Sequence, residues 1–349
     1  MIQNDSIDGG KAFDWGKTSM DYAKYRDIYP DEFYQYLVDG GIVARNRQIL
    51  DIGTGTGVLP RNLYKYGAHF TGADISKNQI AQARRLAKES GMDIKFICSP
   101  AEDMKFPEKS FDAVTACQCF TYFNHDILAP KIHRILKPSG TFVLLYMAWL
   151  PHEDGIAGQS EDLVRKYNPA WTGGGETRHD IWIPEIYHKY FDVERQAIFD
   201  LRVPFDRESW NGRMRACRGI GASLPEAEVL RFEQEHRALL TRIAPESFEV
   251  LHYGAMAILR KKQLVYTFEA EILQNGDMDA AYIIFPYDVK KEFDQGRVRV
   301  HAMFDDIPYD GSIVRMGKPD YIIGITKEIR KKLGKSFGDT IKVQITERM

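Results

Sequence analysis

Cysteine is scarce in this sequence. Its 349 residues hold four, Cys98, Cys117, Cys119 and Cys217, too few to staple a chain of this length, so a disulfide scaffold is excluded and a reducing compartment is expected. Cys117 and Cys119 form a C-x-C with no second Cys/His pair at ligand spacing, and no metal site is expected. A surplus of charge is missing too. Lys and Arg number 47 against 49 Asp and Glu, a net charge of -2, which offers no general attraction to nucleic acid or to an anionic membrane. The longest apolar run, Phe142 to Leu150, is less than half of the roughly 20 residues a membrane span needs. Met1 to Gly10 lacks the basic and apolar regions of a signal peptide. The expectation is a cytoplasmic protein that binds neither nucleic acid nor membrane.

What is present is ample core material, 44% hydrophobic residues beside 28% charged, in a chain whose length suits two domains. From Gln48 to Trp149 short apolar runs alternate with amphipathic stretches. This pattern predicts strands at Gln48–Ile52, His69–Ala73, Ile94–Cys98, Ala113–Ala116 and Thr141–Ala148, with helices between them. Ser76 reads as the N-cap of a helix whose apolar face is Ile80, Ala83, Leu86 and Ala87. His125 to Leu136 has helical spacing, and Lys137-Pro138-Ser139-Gly140 breaks it. Residues 151 to 193, rich in Gly, Pro and aromatics, read as an irregular insertion that could cover a substrate. Order returns with a strand near 194–203, helices from Arg207 to about Ile243 and a strand near 248–259, and Arg260-Lys261-Lys262 marks a boundary. Beyond it, six alternating runs and the turn Asn275-Gly276-Asp277 predict a small barrel, with short helices at Asp288–Asp294 and Lys327–Leu333. The expected fold is α/β: a Rossmann-like, doubly wound, mostly parallel sheet over residues 1–262, followed by a smaller mainly-β barrel over 263–349.

The strongest signal is Ile49-Leu-Asp-Ile-Gly-Thr-Gly-Thr-Gly57, a buried strand that runs into a glycine-rich turn and then a helix. Glycines at 53, 55 and 57, with Thr54 between the first two, let the backbone approach a ligand closely. Asp51 at the strand end can accept from an ammonium group. Asp74, at the end of the second strand, is placed to accept from both hydroxyls of a ribose. A dinucleotide site would need glycine at position 58, where this chain has Val58. A nucleoside amino acid without phosphate suits the turn better, and a dehydrogenase is the weaker alternative.

These motifs, with Leu136-Lys-Pro-Ser-Gly140 and Ser99-Pro-Ala-Glu-Asp-Met-Lys-Phe106 followed by Phe111-Asp112, make residues 12 to 260 resemble the class I S-adenosylmethionine-dependent methyltransferases. The resemblance implies S-adenosylmethionine as cofactor. It adds Ile75 beside Asp74, sets Ala101 and Glu102 against the adenine, and sets Cys117 and Gln118 beside the methionine part. Pro100 stands where many relatives have an Asp that holds the adenine amino group. The segment Tyr22-Ala-Lys-Tyr25-Arg26 resembles the lid of small-molecule methyltransferases, in which Tyr22 or Arg26 would reach the cofactor's carboxylate. Methyl transfer is an in-line displacement that needs alignment and exclusion of water, and a base where the acceptor must lose a proton. Candidates for that base, on loops at strand ends, are His125, His152 and Glu153. The expected partner is a small-molecule acceptor. A non-catalytic S-adenosylmethionine sensor signalling through the C-terminal module is the alternative.

Residues 266 to 347 resemble a domain of unknown function, DUF1905, through Phe285-Pro-Tyr-Asp288, Gly296-Arg-Val-Arg-Val300, Ile307-Pro-Tyr309, Ile329-Arg-Lys-Lys-Leu-Gly334 and Phe337-Gly-Asp-Thr-Ile-Lys-Val343. That resemblance carries no activity. Residues 264 to 349 have 13 Lys and Arg against 14 Asp and Glu, no footprint for DNA.

Overall fold

Strand β1 (Gln48–Ile52) is buried at every position but its first, as a strand covered on both faces must be. In the computed structural model, which describes residues 2–3, 5–293 and 295–348, β1 is central in a sheet of seven strands. Its parallel neighbours are β2 (His69–Asp74) and β4 (Phe111–Cys117). The sheet continues through β3 (Lys95–Cys98), β5 (Leu136–Trp149), β6 (Phe191–Asp206) and β7 (Ser247–Lys261), in the order β3-β2-β1-β4-β5-β7-β6. The last two strands run antiparallel to their neighbours. The order reverses direction at β1, so the carboxyl ends of β1 and β4 flank the crevice where doubly wound sheets take ligands. The α/β class and the Rossmann-like sheet expected from the sequence are what the strand pairing shows.

The helices follow from local signals. Ser76 accepts from the Gln79 backbone N–H at 3.4 Å and starts α4 (Lys77–Glu89), which buries Ile80, Ala83 and Ala87. Ahead of β1, α1 (Ser19–Tyr25) and α2 (Asp31–Asp39) form the N-terminal segment, and α2 sends Phe33 and Leu37 into the main core. The glycine turn leads into α3 (Val58–Leu63), and α5 spans His125–Ile135.

Two expectations need correction. Residues 136–140 do not separate helix from strand: α5 ends at Ile135, and β5 starts at Leu136 with a register slip against Phe111 and Ala113. Lys137 pairs with Asp112 at 2.7 Å and Lys261 donates to the Leu136 carbonyl at 2.7 Å, so the stretch is held in the sheet despite Pro138 and Gly140. The insertion at 151–193 is also more ordered than its composition suggests. It holds α6 (Gly155–Tyr167) and α7 (Glu185–Tyr190). Asp154 caps α6, accepting from Ile156 and Ala157 at 3.0 Å each, and also takes the Leu251 N–H at 2.9 Å. Gly158 is not a breaker there: a Cβ would lie 2.5 Å from the Pro151 carbonyl oxygen, so glycine is what lets α6 pack so closely. Helices α8 (Arg207–Arg215) and α9 (Glu226–Ile243) follow β6.

The chain divides into two units, Met1–Lys261 and Lys262–Met349. The second is an antiparallel sheet of β8 (Val265–Glu271), β9 (Leu273–Gln274), β10 (Ala281–Ile284), β11 (Val298–Phe304), β12 (Ile307–Val314), β13 (Ile322–Ile325) and β14 (Thr340–Glu347). The order β8-β14-β11-β12-β13-β10-β9 places the two halves of one strand, bent at Ile272, at its opposite ends. The sheet therefore curls back on itself in barrel-like fashion around Ile283, Val300, Phe304, Val343 and Ile345. Two short helices, α10 (Val289–Phe293) and α11 (Lys327–Leu333), complete it. The expected end of the former, Asp294, lies outside the described residues. Thr326 caps α11 by accepting from Ile329 at 3.2 Å.

Candidate functional site

The turn after β1 is built around positive φ: Gly53, Gly55 and Gly57 sit at 62°, 57° and 74°. At Gly57, where α3 begins, a Cβ would also meet the Phe96 ring at 2.8 Å. The turn aims the Gly55 N–H at Asp74. One carboxylate oxygen of Asp74 accepts from Gly55 at 2.9 Å, the other from Ser76 at 2.8 Å. The carboxylate is thereby fixed at the mouth of the crevice with lone pairs to spare, and burial raises its pKa.

Asp51 is 2% exposed and accepts from the Thr115 hydroxyl at 2.6 Å. Burial pushes its carboxyl up to about 6, against the Thr115 hydrogen bond, which lowers it. The neighbouring Thr54 N–H ties the turn to Ala73 at 3.0 Å. Two carboxylates at adjacent strand ends, one buried and short of a cation, suit a ligand with an ammonium group and a diol.

Residues 50–144 match the methyltransferase domain family, and residues 268–345 match the family of the domain of unknown function DUF1905. This chain carries a methyltransferase domain. Over 111 residues it is 35% identical to a demethylmenaquinone methyltransferase of Thermus thermophilus, covering 31% of this chain and 50% of that enzyme. Over 143 residues it is 32% identical to a sterol 24-C-methyltransferase of Neurospora crassa, covering 38% and 36% respectively. The chain thus spans half or less of the length of these curated relatives. The Bacillus subtilis YcgJ protein is a similar solved structure, at 18% identity, covering 66% of this chain and 98% of its own, with a TM-score of 0.40.

Asp51, Gly53, Thr54, Gly55, Gly57 and Asp74 form one continuous wall. Ile75 follows with its side chain 54% exposed, an apolar surface beside the Asp74 carboxylate. Tyr22 comes from α1 and lays its ring over the turn, 3.6 Å from where a Gly55 Cβ would be. Arg26 stacks 4.4 Å from the Tyr22 ring and 5.5 Å from that of Trp15. Ala101 is buried in a single 3-10 turn after β3. Glu102 is committed elsewhere: its carboxylate accepts from the Asn124 N–H at 2.8 Å, and its carbonyl takes the Lys131 ammonium. At the end of β4, Cys117 donates its thiol to the Tyr29 hydroxyl at 3.5 Å, and burial pushes that thiol up to about 12. Gln118, a non-glycine residue at φ 65°, is held by hydrogen bonds to Leu145 and Met147 carbonyls at 2.9 and 2.5 Å.

The three candidate bases are not gathered to this wall. His125 starts α5 among Phe120, Tyr187 and Trp182, with Nδ1 3.3 Å from the Tyr187 hydroxyl, and burial lowers its pKa. His152 is exposed, and Glu153, exposed as well, is paired with Arg178 at 2.5 Å.

Two features escaped the sequence reading. Glu176 accepts from the Tyr146 and Tyr253 hydroxyls at 2.7 and 3.1 Å, with His179 3.4 Å away. It comes from the irregular stretch, where no periodicity marks it. Arg213 is 5% exposed and stacks 4.9 Å over Trp149. A signal existed here: positions 210, 213, 214 and 217 are one helical stripe, and Trp210, Met214 and Cys217 make it apolar, so an Arg in that row is out of place.

Proposed function

We propose that the chain is an S-adenosylmethionine-dependent methyltransferase that methylates a small molecule in the cytoplasm, with residues 1–262 as the catalytic domain and 263–349 as an appended module. The observation that carries this reading is the Asp74 carboxylate, fixed by the Gly55 and Ser76 N–H groups at the carboxyl end of β2, in a segment that matches the methyltransferase domain family. When bound, S-adenosylmethionine supplies an electrophilic methyl group on a sulfonium centre. Asp74 would hold the ribose hydroxyls and Asp51 the ammonium, whose charge stabilises the ionised form of that buried acid. Ile75 and Ala101 would border the adenine. Tyr22, from α1, and Arg26 beside it cover the turn, and with Tyr29 and Trp149 they keep water from the transfer. Cys117 stays a neutral thiol and does not compete as a nucleophile. The sequence relatives support a small-molecule acceptor, since one is named for demethylmenaquinone and another for a sterol.

The test is to incubate the full chain with labelled S-adenosylmethionine and metabolite extracts and to measure both methyl uptake and S-adenosylhomocysteine. Cofactor binding without any formation of S-adenosylhomocysteine would leave a sensor in place of an enzyme.

A further inference from the structure

Four arginines lie on α8 and the turn after it. Arg207 pairs with Glu246 at 3.4 Å, Arg215 with Asp21 and Glu233 at 2.6 and 2.7 Å, and Arg218 with Asp8 at 2.9 Å. Arg213 is the exception. It is the most buried of the four, yet its Nε and Nη1 find no hydrogen-bond partner among the described residues. Burial, with the charge of Arg26 adding to it, brings its pKa down to about 9. A guanidinium held out of water beside a like charge is costly unless an anion joins it.

Its surroundings say which anion. Arg213 stacks on Trp149 at the end of β5, and Trp149 is paired in register with His252 of β7. His252 is fully buried; its Nδ1 donates to the Val250 carbonyl at 3.0 Å, which leaves Nε2 an acceptor with no partner among the described residues. β5 and β7 lie on the far side of β4 from β1 and β2, which carry Asp51 and Asp74. The free donors of Arg213, stacked on Trp149, therefore belong to the opposite half of the crevice from the two carboxylates. Glu176 does not reach them: it is bonded to Tyr146, which, next but two to Trp149 along β5, faces the other side of the sheet.

Resting on the methyltransferase reading above, we propose that Arg213 is the anchor for an oxyanion on the methyl acceptor, so that the enzyme takes small acidic substrates whose apolar part lies against Trp149. The same chemistry could come from a carboxylate or from a phosphate monoester.

The experiment uses the full chain, with and without S-adenosylhomocysteine, and titrates benzoate, phenyl phosphate and the neutral benzamide by calorimetry. Benzoate or phenyl phosphate should bind at least tenfold more tightly than benzamide, and whichever is preferred identifies the anion. In Arg213→Met that preference should vanish, while S-adenosylhomocysteine affinity stays within twofold and the melting temperature is unchanged or higher, because an uncompensated buried charge is gone. Arg213→Lys should keep a reduced preference, and it decides the matter if the Met variant fails to fold. Equal binding of anion and amide in the wild type, or a preference that survives Arg213→Met, overturns the proposal. So does a tenfold loss of S-adenosylhomocysteine affinity in Arg213→Met, which would give Arg213 to the cofactor's carboxylate. Failure of S-adenosylhomocysteine to bind the wild type would instead sink the methyltransferase reading, and the titrations without it still judge Arg213.

Discussion

The two units treat buried charge differently. In the second, Arg330 is 7% exposed, and it is paired with Asp279 at 2.5 Å and stacked 4.6 Å from Phe337. In the first, Asp51, Arg213 and His252 are all buried, and among the described residues Asp51 has no cation and Arg213 no anion paired with it. A unit that completes its own pairs gains packing and nothing to bind with. One that leaves opposite charges unpaired on two halves of a crevice is shaped for ligands, and it bears the cost until they arrive.

The comparison breaks most readily at the largest effect. Phe304 is fully buried in the second unit, so Phe304→Ala should cost about 3–5 kcal/mol of that unit's stability in denaturant unfolding. Cofactor affinity, measured while the protein remains folded, should not change. A parallel loss of binding would mean that the barrel-like sheet is part of the site. Next, Asp74→Ala should weaken cofactor binding by roughly 1.5–3 kcal/mol in calorimetry, since ribose hydroxyls lose a charged acceptor.

A smaller effect sharpens the point about unpaired charge. With Asp51 raised to about 6 in the free protein, its folded value lies above the ordinary carboxylate range. The free protein is therefore favoured by the proton, and it loses that contribution as pH rises through 6. Binding of an ammonium group has the opposite sign. Affinity should fall about tenfold, or ~1.4 kcal/mol, between pH 7 and pH 5, and Asp51→Asn should flatten that slope at a lower affinity. Removing the α6 cap with Asp154→Ala should cost about 1 kcal/mol of thermal stability. Least of all, His152→Ala should leave turnover within twofold, because the exposed ring touches none of the cofactor wall.

The geometry of the half of the crevice that holds Asp51 and Asp74 was legible because its requirements are local. A glycine at positive φ, a carboxylate at a strand end and the Ser76 cap each leave a mark within a few residues. The half around Arg213 was not, because Trp149, Arg213 and His252 are brought together from three separate elements. Arg213 also hides among paired arginines, and only its place in the apolar stripe betrays it. Gly155 and Gly158 concealed α6 for a related reason: helical periodicity says nothing of the Pro151 carbonyl that requires a missing Cβ. Glu102 has a partner that its own neighbourhood in the sequence does not announce: one oxygen of its carboxylate accepts from the Asn124 N–H on the next loop.

The bent strand of the second unit bears on how that unit is made. β8 is the first of its strands to leave the ribosome, yet its in-register partner is β14, with Ile345 opposite Tyr266. No order of local pairing can complete the sheet while β14 is still being synthesised. The first unit can finish folding during translation while the second is still incomplete, and the apolar face of β8 needs shelter until β14 has been made.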